Sequence, residues 1–158
     1  MSEETKRCRN IRRVLIFLFI VCGYMLSMTF AVDLIEIDGV ETYIQMTALN
    51  LAFGTMGGAT PVRQNTVIGL LYIIIPLVGF FFMFFDKKTN IKNIVGICCG
   101  VIGMTSIFMF IGLNIGIGAL ISIFCYILID ILSATALLMN LQDRKAERKP
   151  RTLKRHLV

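Results

Sequence analysis

Apolar residues fall in four long blocks, at 14–32, 67–85, 94–113 and 115–139, with polar segments flanking them. No period of two or of 3.6 organises these blocks. They are apolar on every side, which suits lipid rather than one half-buried face. Each is close to the roughly 20 residues that a helix needs to cross a hydrocarbon core of about 30 Å. The last two blocks are nearly continuous. One straight helix over 94–139 would measure about 69 Å, more than twice that core, so the chain must turn. Gly112-Leu113-Asn114-Ile115-Gly116 is the place, because Gly and Asn tolerate left-handed turn conformations. The pattern predicts four spans, the last two joined as a tight helical hairpin.

The polar segments give these spans a direction. Lys and Arg gather in the short cytoplasmic loops of membrane proteins. Lys6, Arg7, Arg9, Arg12 and Arg13 precede the first block, and Lys87, Lys88 and Lys92 separate the second from the third. Arg144, Lys145, Arg148, Lys149, Arg151, Lys154 and Arg155 follow the fourth. Of the 16 basic residues only Arg63 lies elsewhere, in a loop that also holds Asp33, Glu36, Asp38 and Glu41. Four spans with both termini inside satisfy every segment at once. The expected fold is an all-α integral membrane four-helix bundle with cytoplasmic N-terminus and C-terminus. Its segments are a basic tail at 1–13, spans at 14–32, 67–85, 94–113 and 114–139, an outer loop at 33–66, an inner loop at 86–93 and a second basic tail at 140–158. The expected location is the cell membrane, of bacterial cytoplasmic type.

The first block has a rival reading. Basic residues, an apolar run and Thr29-Phe30-Ala31 resemble a cleaved signal peptide, but the run exceeds the usual apolar core of about 7–15 residues. A retained anchor is the preferred reading. A lipoprotein reading of Cys22 fails, since Val21 is too large for the small residue needed before a lipidated cysteine. The outer loop is too short for a core of its own. It is expected to fold back on the helix ends, as a short interfacial helix or hairpin, and to serve as a connector rather than a partner site. Its run Gly54-Thr55-Met56-Gly57-Gly58 lacks the spacing and the lysine of a phosphate loop.

Composition agrees: 56% of residues are hydrophobic and 16% charged, against about 25% charged in soluble domains. The net charge of +6 records orientation rather than nucleic-acid binding, because no aromatic residue interleaves the basic tail. Anionic lipid head groups are its expected partners. Arg144, Lys145, Arg148 and Lys149 follow a span directly, and each contributes about 1 kcal/mol near an anionic leaflet. A membrane-protein partner or a homo-oligomer is also compatible with the layout.

The spans offer little catalytic chemistry. Their side chains include no His, Lys, Arg or Glu; the single His, His156, is in the tail. That disfavours intramembrane metal sites and nucleophile–base pairs, so neither an enzyme nor a cofactor is expected. Cys98-Cys99 is a vicinal pair, not the CxxC of thiol oxidoreductases, and buried cysteines usually act as small apolar residues. Asp130 is the exception. A mid-span aspartate costs about 2.5–3.5 kcal/mol on insertion scales and is a functional candidate by default. Ser122, Tyr126, Asp130, Ser133 and Ala134 share its helical face, which should turn toward other helices. Counting depth from the span ends brings Cys98, Pro76 and Gly23, which is next to Cys22, to the same layer, with Pro76 freeing the carbonyl of Tyr72. The candidate site is therefore Asp130, Tyr126, Ser133 and Cys98. It acts either as a proton- or cation-responsive group or as a protonated carboxyl bonded to a neighbouring helix, and the bonded form is preferred. In the third span Gly96, Cys99, Gly100, Gly103 and Ser106 form a small-residue face for close packing, against the first or fourth span in preference to a second copy.

One span, a medium outer loop and three closely connected spans, with Met46-Thr47-Ala48-Leu49-Asn50-Leu51-Ala52-Phe53-Gly54 in the loop, resemble uncharacterised small four-span membrane proteins of Firmicutes-type bacteria. This chain departs from those that carry an N-terminal Cys-pair zinc ribbon, having only Cys8 in its tail. The resemblance implies no activity. The outer-loop Trp and Cys signature of four-span claudins is absent, since the chain has no Trp. The function expected is that of a non-enzymatic accessory or scaffold component, with a small transporter or channel subunit using Asp130 as the alternative.

Overall fold

The structure, a computed structural model, describes residues 3–37, 40–53, 66–85 and 90–155, without the side chains of 3–6, 33–37, 66, 68, 85 and 143–155. In chain order the elements are α1 (Glu3–Met25), β1 (Thr29–Ile37), β2 (Val40–Thr47), α2 (Ala48–Phe53), α3 (Thr66–Phe85), α4 (Ile91–Ile111) and α5 (Ile117–Arg155). The described chain is mostly helical, as the apolar blocks require. It also contains a two-stranded antiparallel sheet, within the segment expected to fold back as a short interfacial helix or hairpin.

The long helices pack in a closed ring: α1 against α3, α3 against α4, α4 against α5, and α5 back against α1. Leu15, Phe19 and Cys22 of α1, Tyr72 and Met83 of α3, Ile107 of α4, and Ile129 of α5 are buried between them. Among the described residues two helices are long and apolar enough to cross a membrane: α4 (Ile91–Ile111), with mean hydropathy 2.4, and Ile117–Gln142 within α5, with mean hydropathy 2.2. In α3 the apolar stretch Gly69–Phe84 is shorter. The first predicted span needs a larger correction. Its helix stops at Met25, and 29–32 belong to β1. Hydropathy alone could not divide that block, because Thr29, Phe30 and Val32 are as apolar or β-branched as strand residues are.

One end of the bundle gathers the basic segments. The Arg12 guanidinium of α1 donates to the carbonyls of Met83, at 2.8 Å, and of Phe84, at 2.5 Å. These carbonyls lie in the last turn of α3, where helix carbonyls lack intrahelical partners. Cys8 of α1 meets Asn140 of α5 at the same end, with 3.8 Å from Sγ to Oδ1. We call this the basic end.

The opposite end carries the hairpin. Strands β1 and β2 pair from Thr29↔Thr47 to Ile37↔Val40. Asp38 and Gly39, between the strands in sequence, lie outside the described residues. Thr47 then caps α2, its Oγ1 accepting the Asn50 N–H at 3.1 Å. The base of the hairpin is locked into the bundle. Gly116 N–H donates to the Phe30 carbonyl at 3.0 Å and Val32 N–H to Asn114 at 3.1 Å. Phe30 is 1% exposed and meets the Tyr72 ring with centroids 4.9 Å apart. The outer loop thus folds back as both a hairpin and a short helix. Its Gly-rich part, Arg63, Lys87 and Lys88 lie outside the described residues.

The α4–α5 turn falls where the glycines predicted it. Gly112 has φ +66° and ends α4, its N–H reaching the Phe108 carbonyl at 3.2 Å. Gly116 answers a different need: a Cβ there would strike the Thr29 carbonyl of β1. Gly23, by contrast, has open space around it. Gly116→Ala should therefore lower stability by about 1–3 kcal/mol, because backbone would have to move. Gly23→Ala should be neutral or stabilising by up to about 1 kcal/mol, since Ala favours an exposed helix position. Thermal unfolding in detergent, followed by circular dichroism, measures both.

Candidate functional site

The bundle interior is organised by the absence of side chains on one face of α4. Gly96, Gly100 and Gly103 lie one turn apart, and all three are buried. A Cβ at Gly96 would collide with Ser133 Oγ, one at Gly100 with the Asp130 carboxylate, and one at Gly103 with the Tyr126 ring. Three polar side chains of α5 therefore occupy the groove that three missing side chains of α4 leave. Both runs follow from the 3.6-residue repeat, which puts positions three and four apart on the same face. The two helices run antiparallel, so the polar ridge and the glycine row meet in opposite chain order.

Ser133 is fully buried (0% exposed) and Tyr126 nearly so (3%); Asp130 is half-buried. Asp130 Oδ1 and Ser133 Oγ have no hydrogen-bond partner among the described residues, and the same holds for Nδ2 of buried Asn93. Two buried serine hydroxyls are satisfied within their own helices. Ser122 Oγ donates to the Gly118 carbonyl at 2.8 Å, and Ser106 Oγ to the Gly103 carbonyl at 2.8 Å. Tyr72 Oη donates across from α3 to the Ser106 carbonyl at 3.3 Å.

The structure places the sequence candidates as follows. Tyr126, Asp130 and Ser133 share one interface with Gly96, Gly100 and Gly103. Cys98 does not join them. It is exposed, whereas Cys99 is buried and lies near enough to Asp130 to feel its charge. The depth count was short by one position, and one position on a helix is a rotation of about 100°. The face reading had already put Cys99, not Cys98, with Gly96, Gly100 and Gly103. The side chains of Arg144, Lys145, Arg148 and Lys149 lie outside the described ones; their backbone continues α5.

Two features were missed. Buried Cys22 of α1 and Cys125 of α5 interact with each other, and Cys22, Cys125, Cys99 and Tyr72 lie within electrostatic range of Tyr126. Only the α1–α5 pairing, which sequence spacing does not encode, brings these thiols together. Asn93 is the second. It was read as part of the inner loop, but it enters α4 one turn before Gly96 and is 2% exposed. Its position in the i, i+3 row with Gly96 was the available signal.

Comparison of the chain with protein-family models, with characterised proteins and with solved structures gives no match. The site must therefore be read from its chemistry. Among the described residues, no three of His, Cys, Asp and Glu are placed to hold a metal ion. What the interface does present is one carboxyl whose buried oxygen faces a polar seam between two helices. Such a group can exchange a proton or serve as a hydrogen-bonding anchor.

Two outcomes check this arrangement. Gly100→Leu should disrupt the α4–α5 seam and cost about 1–3 kcal/mol or more, read as loss of the folded peak in detergent size-exclusion. In mild detergent, where a thiol on the helix surface meets water more often than a buried one, a maleimide should modify Cys98 faster than Cys22, Cys99 or Cys125, measured by mass spectrometry of peptides over time.

Proposed function

We propose that this chain is a multi-pass protein of the cell membrane, of the kind represented by small four-span bacterial membrane proteins. In this reading α1, α3, α4 and the first part of α5 cross the bilayer, with the basic end on the cytoplasmic side. Its role is that of a non-enzymatic accessory or scaffold component. The observation that supports this is the outward face of the α4–α5 hairpin. Ile102, Phe108, Met109, Phe124, Leu128 and Ile131 are all at least 50% exposed except Leu128, at 48%. In water a belt of that size would drive association; in lipid it has its natural solvent. The interior polar groups are meanwhile engaged in helix packing rather than gathered about an open cleft. The basic tail contributes contacts with anionic head groups, and a partner would dock on the apolar helix faces within the membrane.

A second reading is favoured by one specific observation, the unpartnered Oδ1 of Asp130. A packing residue has no need of a carboxyl there, so a small transporter or channel subunit with a proton- or cation-responsive Asp130 fits as well. Flux into proteoliposomes at varied pH separates the two: flux abolished by Asp130→Asn supports the transporter, and an ion-tight bilayer rejects it.

The spanning reading makes its own prediction. Fluorescent-protein fusions after Lys88 and after Val158 should be bright. Alkaline-phosphatase fusions within the β1–β2 loop and after Leu113 should be active. The reverse pattern, or the Leu113 turn on the same side as Lys88 and Val158, refutes the orientation. Purification in mild detergent with a stoichiometric second protein supports the accessory role, and a monodisperse lone protein counts against it.

A further inference from the structure

The three buried polar atoms without described partners, Asn93 Nδ2, Ser133 Oγ and Asp130 Oδ1, are not scattered. Asn93 stands one turn before Gly96 on α4; Gly96 faces Ser133, and Gly100 faces Asp130. Followed inward from the basic end, the α4–α5 seam presents Asn93, then Ser133, then Asp130. Exposures of 2% and 0% for Asn93 and Ser133 mean that neither reaches bulk solvent by changing rotamer. A buried polar group with no hydrogen bond costs about 1–3 kcal/mol, and water held between the helices is the usual remedy. Past Asp130 the character of the seam changes. The Tyr126 ring lies against Gly103 and fills the interface.

The ligand follows from the oxygens on offer. A metal cation needs several, and within membrane helices the extra ones come from unwound backbone. Here α4 and α5 are unbroken from Ile91 to Ile111 and from Ile117 to Arg155, so their carbonyls at these levels are engaged inside the helices. That leaves the Asp130 carboxyl, the Ser133 hydroxyl and, nearly two turns from Gly100 along α4, the Asn93 amide oxygen, too few and too spread for a cation. A proton needs only one oxygen.

We infer that Asp130 is a proton-binding carboxyl reached from the basic end of the bundle through water held by Asn93 and Ser133, and closed toward the opposite end by Tyr126. The carboxylate takes a proton from hydronium, leaving a neutral acid and water. The inference rests on α4 and α5 crossing the membrane. The titratable groups facing this region are Cys99 from α4, and Cys22 from α1, Tyr72 from α3 and Cys125 from α5 around Tyr126. None of them is cationic. Arg12 is engaged with the α3 carbonyls at the basic end.

Dicyclohexylcarbodiimide, which adds to protonated carboxyls in apolar surroundings, tests the inference on the full chain in vesicles of known orientation. The pH is set separately on each side, and intact mass reads the adduct, with Asp130→Asn as background. Labelling should decline with rising pH on the basic-end side, approaching about tenfold per unit once the carboxyl is mainly ionised. It should ignore pH on the other side. In Asn93→Ala/Ser133→Ala, labelling should persist but follow the basic-end pH less steeply than in the parent. Ser133→Ala alone provides the same readout if the double variant does not fold. No labelling at any pH, labelling that follows the opposite side, or variants that follow the basic-end pH as steeply as the parent overturns the inference. The reporter fusions decide the spanning reading independently, so the two failures are distinguishable.

Discussion

Two helices approach closely only where side chains do not hold them apart, and α4 lacks side chains at Gly96, Gly100 and Gly103. The cost is real, because each glycine weakens a helix by roughly 0.5–1 kcal/mol relative to alanine. It is offset by contact along the seam, where Ser133, Asp130 and Tyr126 press onto α4. Between membrane helices such contact is a principal source of cohesion, since lipid tails are as apolar as leucine and give helices little reason to associate. The close approach also sets the antiparallel register of α4 and α5. That register brings Cys99 to the level of Asp130 and gives α1 and α3 the surfaces on which they pack.

The far end obeys the same constraint by a different route. The tight turn between α4 and α5 requires positive φ at Gly112 and bare backbone at Gly116. The β1 backbone then crosses directly over Gly116 and hydrogen-bonds to it. The hairpin is thus laced to the seam rather than tethered loosely above it. Phe30 carries the contact inward to Tyr72, and Tyr72 to the carbonyl of Ser106 on α4. At the basic end Arg12 links α1 to the last turn of α3. A charge that reads in the sequence only as an orientation signal thus also satisfies two orphan carbonyls.

The helices were legible because long uniform apolar blocks leave few alternatives, and the turn was legible because Gly112, Asn114 and Gly116 cluster near the middle of 94–139. The α5 polar face and the α4 glycine face were legible by helical spacing, each on its own helix. Their mutual docking required a choice between neighbours that spacing does not make. The hairpin was only half legible. Asp38-Gly39 between β-branched runs is a hairpin signal, but hydropathy assigned the start of β1 to the first span. Cys98 failed for a related reason, since depth was counted along the axis without rotation about it. Asn93 escaped because a polar residue beside lysines resembles a loop. The Cys22–Cys125 proximity had no local signal at all.

Packing alone does not account for an aspartate at position 130. Ser133 shows what the seam needs at such a position: a small side chain that fits over a glycine. Asparagine would match the aspartate in shape without a charge to neutralise. Retaining a carboxyl costs about 2.5–3.5 kcal/mol on insertion scales, and no cationic side chain among the described residues offsets it. Within the seam the carboxyl stands at the inner limit of the run of unpartnered polar atoms that begins at Asn93. A residue placed for packing would gain nothing from that continuity. A residue that exchanges a proton with one side of a membrane requires it, because each hop needs a hydrogen-bonding group or water within reach. The glycine row that lets α4 and α5 pack therefore also gives Asp130 its place at the end of a polar path.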